Sequence, residues 1–556
     1  MSTIPDEKTL PKSSKEKEEA LRSEKPWKTF FEQAELVGKL LNEVFPAYLK
    51  KCRWFGGKSK KIKQLDIQHL MAFPVEDSVA FFVILEAIYV GTFSETYFLP
   101  LSWVAEAEEL DKKALIAPCW LENKPGYLAD ALYVPACRKA LMENLLRQKQ
   151  VRVGKGVLHF ERGKVLDSFP KDEAIQSVML KAEQSNTSII YNDRYFLKIY
   201  RHLFRETNPD YETTRFLTET AGFSNTPAYA GSITWKRPDL PDISIGLMQE
   251  KVENEGDAFT YFLPRIRQYF EKVRDRKIKF EELERIPPYT PRSIRELDPE
   301  IVDLVGYENL KSIEKLAQRT AEMHVAISSD KSNYLFMPII FNEDYVVWLK
   351  NRLIYQFDRR QELAERSLET LEGLAREYAE AFLERKEEII NRILNFDESM
   401  LISKRIRIHG DYHLGQVLKQ GDDFFILDFE GEPESTIRDR KVKQPPMKDV
   451  AGMIRSFHYA IYATIFELDR EQAMKREAMF EAGTVYYRAA VAVFLNTYLK
   501  IAMRHNLSIG YHDEIIFLLK YHLLEKAIYE LGYELNSRPD WAIIPLRGII
   551  NLLEAS

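Results

Sequence analysis

The chain has 556 residues, of which 45% are hydrophobic and 29% are charged, with a formal net charge of -6. These values indicate a globular protein of two or three domains, and the lack of excess Lys and Arg argues against a broad nucleic-acid surface. Three cysteines without a CxxC pair argue against a disulfide framework. No run of about eighteen apolar residues occurs, so we expect a cytoplasmic protein without a membrane span.

The first 135 residues change character near residue 28. Residues 1–28 are rich in mixed charge and poor in large apolar side chains, which predicts a disordered tail. Residues 29–135 combine an amphipathic helical stretch with alternating segments rich in aromatic and β-branched residues, which predict antiparallel strands. No chemistry can be assigned to this region from its residues alone.

Residues 136–256 predict a second strand-rich region. The segments SIIY and YFLKIY, joined at Asn192–Arg194, predict a hairpin with Lys198 in the middle of its second strand. A cation there can reach the α- and β-phosphates of a nucleotide, with Glu212 on the next helix as its acidic partner. An ordinary edge-strand lysine is the alternative. The predicted nucleotide-binding residues are Gln184, Ser185, Asn186, Thr187, Ser188, Lys198 and Gln249.

Residues 257–556 are predicted to be mostly helical. Apolar residues recur at helical spacing in 309–328 and 345–395. We expect the apolar stripe of 345–395 to pack on the same chain, and a coiled-coil partner surface is the alternative. A sheet-rich lobe followed by a helical lobe predicts an α+β, bilobal fold of the protein-kinase type.

The segment His409–Pro433, HGDYHLGQVLKQGDDFFILDFEGEP, contains the most specific motif. Asp411 stands five residues before the amide Gln416, and a short apolar strand then leads to Asp428 in a DFE triplet. Protein kinases use this order, because phosphoryl transfer needs a carboxylate for the hydroxyl proton and oxygen ligands for Mg²⁺ on the phosphates. We therefore predict ATP and Mg²⁺ as cofactors, Asp411 as the base, and Gln416 and Asp428 as metal ligands.

Several motifs resemble those of the bacterial maltokinases. They are RWFGGK at Arg53–Lys58, EQSNTS at Glu183–Ser188, HGDYHLGQVL with DFEGEP, KDVAGMIRSFHYA at Lys448–Ala460, and the C-terminal EKAIYELGYELNSRPDWAIIPLRG. The matches follow the order of that family, which is similar to aminoglycoside phosphotransferases. The resemblance implies an N-terminal cap domain over 29–135, a kinase N-lobe over 136–256 and a helical C-lobe over 257–556.

The resemblance also implies a reaction. Maltokinases transfer the γ-phosphate of ATP to the anomeric hydroxyl of maltose and give maltose 1-phosphate for α-glucan synthesis. A stand-alone kinase is implied, with trehalose synthase as a candidate partner. Two alternatives stay open: a kinase of another sugar, an amino alcohol or an aminoglycoside, and a non-catalytic pseudokinase that scaffolds trehalose synthase.

The C-terminal motif offers aromatic, acidic and basic groups suited to a sugar. Tyr529 and Tyr533 are four residues apart and share a helical face, although aromatic residues at this spacing also form cores. The resemblance suggests Glu430 as a further acidic group near the metal, and an exposed loop carboxylate is the alternative. Arg440 can neutralise the transferred phosphate or belong to a solvated basic stretch, and Asp449 can cap its helix or brace the loop at Asp411. The predicted substrate-binding residues are His413, Arg440, Lys526, Tyr529, Glu530, Tyr533, Glu534, Arg538 and Trp541.

Overall fold

The computed structural model describes residues 20–107, 110–153, 156–180, 185–471 and 474–554. The chain divides into a strand-rich unit, Met1–Arg215 with Ala228–Val252, and a helical unit, Phe216–Pro227 with Glu253–Ser556. None of the described helices is both long enough and apolar enough to cross a membrane.

The first sheet of the strand-rich unit has the order β1-β5-β6-β4-β3-β2, with β12 added on β4. Its pairs are antiparallel apart from β1 and β5. Helices α1 (Ala34–Lys39) and α2 (Phe45–Lys51), joined by the π-helical turn Leu40–Val44, precede β2. The strands are β1 (Leu21–Ser23), β2 (Ile62–Val75), β3 (Ser78–Tyr89), β4 (Glu95–Val104), β5 (Leu115–Leu121), β6 (Tyr127–Asp130) and β12 (His202–Leu203).

The disordered tail that we predict over residues 1–28 is too long at its C-terminal end. Strand β1 pairs with β5, and the Trp27 side chain is buried with its indole nitrogen donating to the Val79 carbonyl at 2.8 Å. A strand that joins an existing sheet satisfies its backbone groups there, so two apolar anchors, Leu21 and Trp27, suffice in a charged segment. Residues 1–19 lie outside the described residues.

The second sheet of this unit is antiparallel with the order β7-β8-β13-β14-β11-β10-β9. The predicted hairpin is confirmed as β10 and β11, whose turn places Asn192 and Asp193 at positive φ, as a type I′ turn requires. Helix α3 (Pro135–Leu146) precedes this sheet and α4 (Pro209–Arg215) follows β12. The strands are β7 (Gln150–Val153), β8 (Gly156–Arg162), β9 (Ser177–Met179), β10 (Asn186–Tyr191), β11 (Tyr195–Tyr200), β13 (Tyr229–Arg237) and β14 (Leu240–Glu250).

The two sheets share one hydrophobic core. Met71 and Phe82 of the first sheet are buried in the same cluster as Leu197 and Ile233 of the second sheet. The predicted regions 29–135 and 136–256 therefore fold as one unit rather than as two separate ones.

The helical unit packs its long helices around a large apolar core. Leu371 and Phe382 are buried in that core, so the apolar stripe of residues 345–395 packs on its own chain, as predicted. The helices are α5 (Ala258–Arg276), α6 (Pro299–Val305), α7 (Tyr307–Ile327), α8 (Glu343–Ser367), α9 (Gly373–Glu384), α10 (Lys386–Leu394), α11 (Met447–Arg470), α12 (Arg476–Arg504), α13 (His512–Ser537) and α14 (Ile543–Glu554). The strands are β15 (Ile339–Ile340) with β16 (Lys404–Arg405), and β17 (Val417–Gln420) with β18 (Asp423–Ile426).

Candidate active site

The loop that carries Asp411 is held by a buried carboxylate of α11. Asp449 accepts hydrogen bonds from the backbone N–H groups of His409, at 2.7 Å, and Gly410, at 2.9 Å. It also contacts His324 Nε2 at 3.0 Å. Burial opposes the ionisation of Asp449, but these hydrogen bonds and the nearby imidazoles lower its pKa. Asp449 therefore braces the loop, and no side-chain cap of α11 is formed.

The loop also contacts the segment that follows β18. His409 Nε2 donates to the Leu427 carbonyl at 2.7 Å. Gly410 has φ +87, and a Cβ there would lie 3.3 Å from Gly431 Cα. Glycine at both positions thus lets the Asp411 loop and the Asp428 segment approach each other closely.

Asp411 forms an ion pair with Lys526 of α13. The Lys526 Nζ lies 3.0 Å from Asp411 Oδ1, and His413 Nε2 lies 3.9 Å from Oδ2. Burial alone would raise the pKa of Asp411, but the charge of Lys526 and then that of His413 bring it below its usual value. Asp411 is therefore an ionised acceptor at neutral pH.

The predicted metal ligands lie together. Gln416 Nε2 donates to Asp428 Oδ2 at 3.2 Å, a bond that does not use the amide oxygen, the group able to bind a cation. Carboxylate oxygens of Asp428 and Glu430 lie within 4.8 Å of one another. Asp428 adopts φ +62, a conformation that is uncommon for a residue with a side chain and concentrates at functional sites. This set of oxygen donors fits a hard divalent cation such as Mg²⁺.

Arg440, predicted to bind the substrate, makes contacts within its own segment, and its substrate binding remains a prediction. Its side chain is only 6% exposed and lies 4.0 Å from Glu430. Its guanidinium donates to the carbonyl oxygens of Pro433, at 2.8 Å, and Ser435, at 3.0 Å. Burial lowers the pKa of Arg440, while the charges of Glu430, Asp428 and Asp411 oppose that shift. Arg440 thus stabilises the acidic segment. The charges of Glu430, Asp428 and Asp411 all act on its guanidinium, so these three carboxylates lie around the same side chain.

The residues predicted to bind a sugar fall into groups that lie on different sides of α13. Lys526 and Tyr529 lie near Asp411, with the Lys526 ammonium 4.9 Å from the Tyr529 ring centroid. Tyr533, one turn further along the helix, is 54% exposed.

Glu530 and Glu534 make internal contacts, and sugar binding by these two residues remains a prediction. Glu530 Oε2 accepts from Arg455 of α11 at 2.6 and 3.0 Å. Glu534 accepts from the Tyr459 hydroxyl at 3.2 Å and from Arg538 Nε at 3.0 Å. At 100° per residue, both positions are rotated from Lys526 toward α11.

The last two residues of the predicted sugar set, Arg538 and Trp541, contact each other. The Arg538 guanidinium lies 4.3 Å from the Trp541 ring centroid, and that ring packs against Phe466 at 5.4 Å. These contacts do not test sugar binding, so both residues remain predictions.

A buried charge network near Lys526 was missed by the sequence prediction. Lys448 Nζ lies 2.9 Å from Glu525 Oε1 and 3.9 Å from Glu432 Oε1, and Arg352 contacts Glu432 at 2.6 Å. Glu432 belongs to the DFEGEP motif, which was a usable signal. Arg352 lies in a long charged helix, where nothing in the sequence distinguishes it from its neighbours.

In the strand-rich unit, Lys198 pairs with Asp210 rather than with the predicted Glu212. Lys198 Nζ lies 3.2 Å from Asp210 Oδ2, and the Asp210 side chain is 1% exposed. Asp210 is in the first turn of α4, and Glu212 is two residues further on, about 200° around the helix. Sequence spacing alone did not show which of the two carboxylates faces the strand.

Neighbouring residues of the predicted phosphate-binding segment 184–188 face in different directions. Thr187 is buried, and its hydroxyl accepts from Arg201 Nε at 2.7 Å, so Thr187 faces the interior. Ser188 pairs directly with Lys198 across the strands and shares its face, because strand side chains alternate. Gln184 lies outside the described residues. Ser185 and Asn186, which come directly before Thr187, remain predicted nucleotide-binding residues.

Gln249, predicted to bind the nucleotide, is buried near the end of β14. Its amide nitrogen contacts Thr214 Oγ1 at 3.4 Å. This contact does not test its role, so nucleotide binding by Gln249 remains a prediction.

Comparisons with known proteins show which families this chain is similar to. Residues 48–133 match the maltokinase N-terminal cap domain. A glucosamine kinase of Streptacidiphilus jiangxiensis is 27% identical over 149 residues, which cover 27% of this chain and 32% of that protein. A glucosamine kinase of Mycolicibacterium smegmatis is 22% identical over 285 residues, which cover 51% of this chain and 59% of that protein. The matches thus span less than two thirds of the curated relatives.

The structure is also similar to that of a glucosamine kinase in complex with glucosamine, ADP and inorganic phosphate. The TM-score is 0.55 and the identity 15%, over 88% of this chain and 93% of that chain. With the cap-domain match, this similarity confirms the predicted fold: a maltokinase-like kinase fold with an N-terminal cap, a sheet-rich N-terminal region and a helical C-terminal region.

Proposed function

We propose that this protein is an ATP-dependent sugar kinase that phosphorylates the anomeric hydroxyl of maltose and produces maltose 1-phosphate and ADP. The observation that carries the proposal is the ionised Asp411, paired with Lys526, in a loop packed against the Gln416–Asp428 pair. The maltokinase cap domain at residues 48–133 supports maltose as the acceptor.

The proposed reaction assigns one task to each of these groups. The sugar hydroxyl oxygen forms a bond to the γ-phosphorus of ATP, the bond from that phosphorus to the ADP oxygen breaks, and the hydroxyl proton passes to Asp411. Gln416, Asp428 and Glu430 would hold Mg²⁺, which neutralises phosphate charge when bound. Lys198, oriented by Asp210, would contact the nucleotide phosphates.

The resemblance to maltokinases extends the proposal beyond the reaction. It suggests a cytoplasmic enzyme whose product feeds α-glucan synthesis, with trehalose synthase as a candidate partner. Glucosamine is a second candidate acceptor, because the two curated relatives and the solved structure described above are glucosamine kinases.

The test is a coupled assay of ADP release with maltose, glucosamine, glucose and trehalose, followed by phosphorus NMR of each product. We expect turnover with maltose and phosphate on its anomeric oxygen. Asp411→Asn keeps the shape of the side chain but removes its basicity, and should lower kcat about 10²- to 10⁴-fold in a chain that still folds, as thermal unfolding checks.

Three other outcomes decide the alternatives. Wild-type turnover in Asp411→Asn would remove this residue from the mechanism. Preference for glucosamine would replace the acceptor while keeping the kinase. No phosphotransfer to any sugar, together with tight binding to trehalose synthase, would favour a scaffolding pseudokinase.

A further inference from the structure

A cavity of about 480 Å³ lies in the helical unit, away from the candidate catalytic residues. It is bounded by α11, α12, α13, α14 and the segment 285–289. Neither Asp411 nor Lys526 lines it, and neither do the proposed metal ligands. Its volume falls in the range of small-molecule sites, which is roughly 300–1,000 Å³.

The cavity is lined by four arginines, and most of their charge is not compensated by protein. Arg455 is neutralised by Glu530 at 2.6 Å. Arg547 instead contacts uncharged groups, the Tyr462 hydroxyl at 2.8 Å and the Phe480 ring at 4.6 Å. Within the described part of the chain, Arg285 and Arg488 have no carboxylate oxygen within 4.0 Å.

One carboxylate, Glu554, appears in the described lining, and it forms an ion pair with Arg385 at 3.5 Å. The two arginines without acidic partners both line this cavity, so their like charges repel each other. Burial lowers the pKa of Arg488, and the like charge of Arg285 lowers it further. An anion bound between Arg285 and Arg488 would relieve this repulsion.

His458 adds a neutral hydrogen-bond donor to the cavity. Its side chain is buried, and its Nδ1 lies 2.9 Å from Arg455 NH1. A guanidinium cannot accept a hydrogen bond, so Nδ1 is the acceptor and the ring proton is on Nε2. Burial, followed by the charges of Arg455 and Arg547, holds the pKa of His458 well below its usual value. The imidazole is therefore neutral at pH 7.

Tyr289 shows that the wall of this cavity is conformationally constrained. It adopts φ +56, which is unusual for a bulky residue, and its hydroxyl interacts with that of Tyr487. Burial raises the pKa of Tyr289 to about 12, so its hydroxyl stays protonated. Thr484 and Asn551 add further polar groups to the lining. Such groups suit the hydroxyls of a polar ligand.

We propose that this cavity is a second binding site, for a small phosphate-bearing molecule held by Arg285, Arg488 and Arg547. Guanidinium groups present paired N–H donors that match phosphate oxygens, and arginine keeps its charge throughout the physiological pH range. A sugar phosphate and a nucleoside monophosphate both carry a phosphate group of this kind.

The experiment is isothermal titration calorimetry of the full chain with glucose 6-phosphate and with AMP. The cavity variants are Arg488→Gln and Arg547→Gln. Arg274→Gln is the matched control, since that arginine lies exposed on α5 and pairs with the adjacent Asp275. Lys198→Met and Lys526→Met report on any binding at the candidate active site.

We expect at least one probe to bind the wild-type chain and to bind each cavity variant about tenfold or more weakly. Its affinity should not change in the other three variants, and the probe that behaves in this way identifies the source of the phosphate. Absence of binding by both probes would overturn the proposal. Affinity that survives in the cavity variants, or that falls in Lys198→Met or Lys526→Met, would overturn it as well.

Thermal unfolding of Arg488→Gln and Arg547→Gln checks that both variants fold. The measurement is of binding rather than turnover, so its result stands independently of the acceptor that the protein phosphorylates.

Discussion

The side chains of Asp411 and Lys526 are 19% and 16% exposed, so their charges interact in a medium less polarisable than water. The same contact that orients the carboxylate also stabilises its ionised form. An isolated buried carboxylate would have a raised pKa, and the ammonium at 3.0 Å reverses that tendency. Lys526 is therefore expected to set the pH range in which Asp411 can accept a proton.

Replacing Lys526 with Met should move the acid limb of the pH profile of kcat/KM to higher pH. The charge of Lys526 lowers the pKa of Asp411, and its removal lets burial raise that pKa, so the base is lost at a higher pH. The measurement is kcat/KM for the preferred sugar between about pH 4 and pH 8, a range that begins near the usual pKa of a carboxylate.

Lys500→Met is the matched control, because Lys500 is exposed on α12. If Lys526→Met lowered the plateau of kcat/KM but left the acid limb at the same pH, Lys526 would bind the substrate without controlling the pKa of Asp411.

The sequence predicted which residue types form the site better than it predicted the direction in which each side chain points. The register of Asp411, Gln416 and Asp428 was readable because the motif has fixed spacing along one loop and one hairpin. Thr187 and Glu212 were misassigned because one residue in a strand, or two in a helix, turns a side chain to another face.

Helix α11 contributes the brace of the catalytic loop. Asp449 satisfies the backbone N–H groups of the buried His409 and the half-buried Gly410, and it contacts the buried His324. An asparagine there has one acceptor oxygen and no charge, so it cannot replace all three interactions. The loop geometry and the stability of the helical unit should therefore depend on the same carboxylate.

Asp449→Asn should lower the free energy of unfolding by about 2–3 kcal/mol at pH 7 and should also reduce kcat. The pKa of Asp449 is lowered by folding, so its contribution is present above the unfolded pKa, about 4, and is lost as the pH falls through the folded value. The difference in urea-unfolding free energy between the variant and the wild type should narrow at acidic pH.

Asp469→Asn tests the same chemical change on the same helix at a more exposed site, where Asp469 pairs with Arg476. Its cost should stay under about 1 kcal/mol. Equal effects of the two substitutions would show that the brace does not contribute.

Elements with strong local signals were predicted well. The β10–β11 hairpin follows from its turn residues and apolar alternation. The network of Arg352, Glu432 and Lys448 was not predictable, because Arg352 contacts Glu432, 80 positions further along the chain, through helix packing that periodicity does not specify.

At the scale of the whole molecule, the cap is built into the strand-rich unit. Arg201, which follows β11, donates to Asp130 at the end of β6 at 2.6 Å, and both side chains are 0% exposed. Arg201 also bonds Thr187 of β10. One fully buried ion pair thus connects the cap sheet to the kinase sheet.

Asp130→Asn should destabilise the strand-rich unit by about 3–5 kcal/mol, because it leaves the buried guanidinium of Arg201 without a counter-charge. Five of the seven tryptophans belong to this unit, so tryptophan fluorescence during urea unfolding reports mainly on it.

The double variant Asp130→Leu with Arg201→Met removes both charges and should recover part of the loss. Glu161→Gln breaks the more exposed pair with Arg215 and should cost less than about 1 kcal/mol. If Asp130→Asn cost no more than Glu161→Gln, the buried pair would not be what joins the cap to the kinase sheet, and the shared apolar core alone would have to account for their connection.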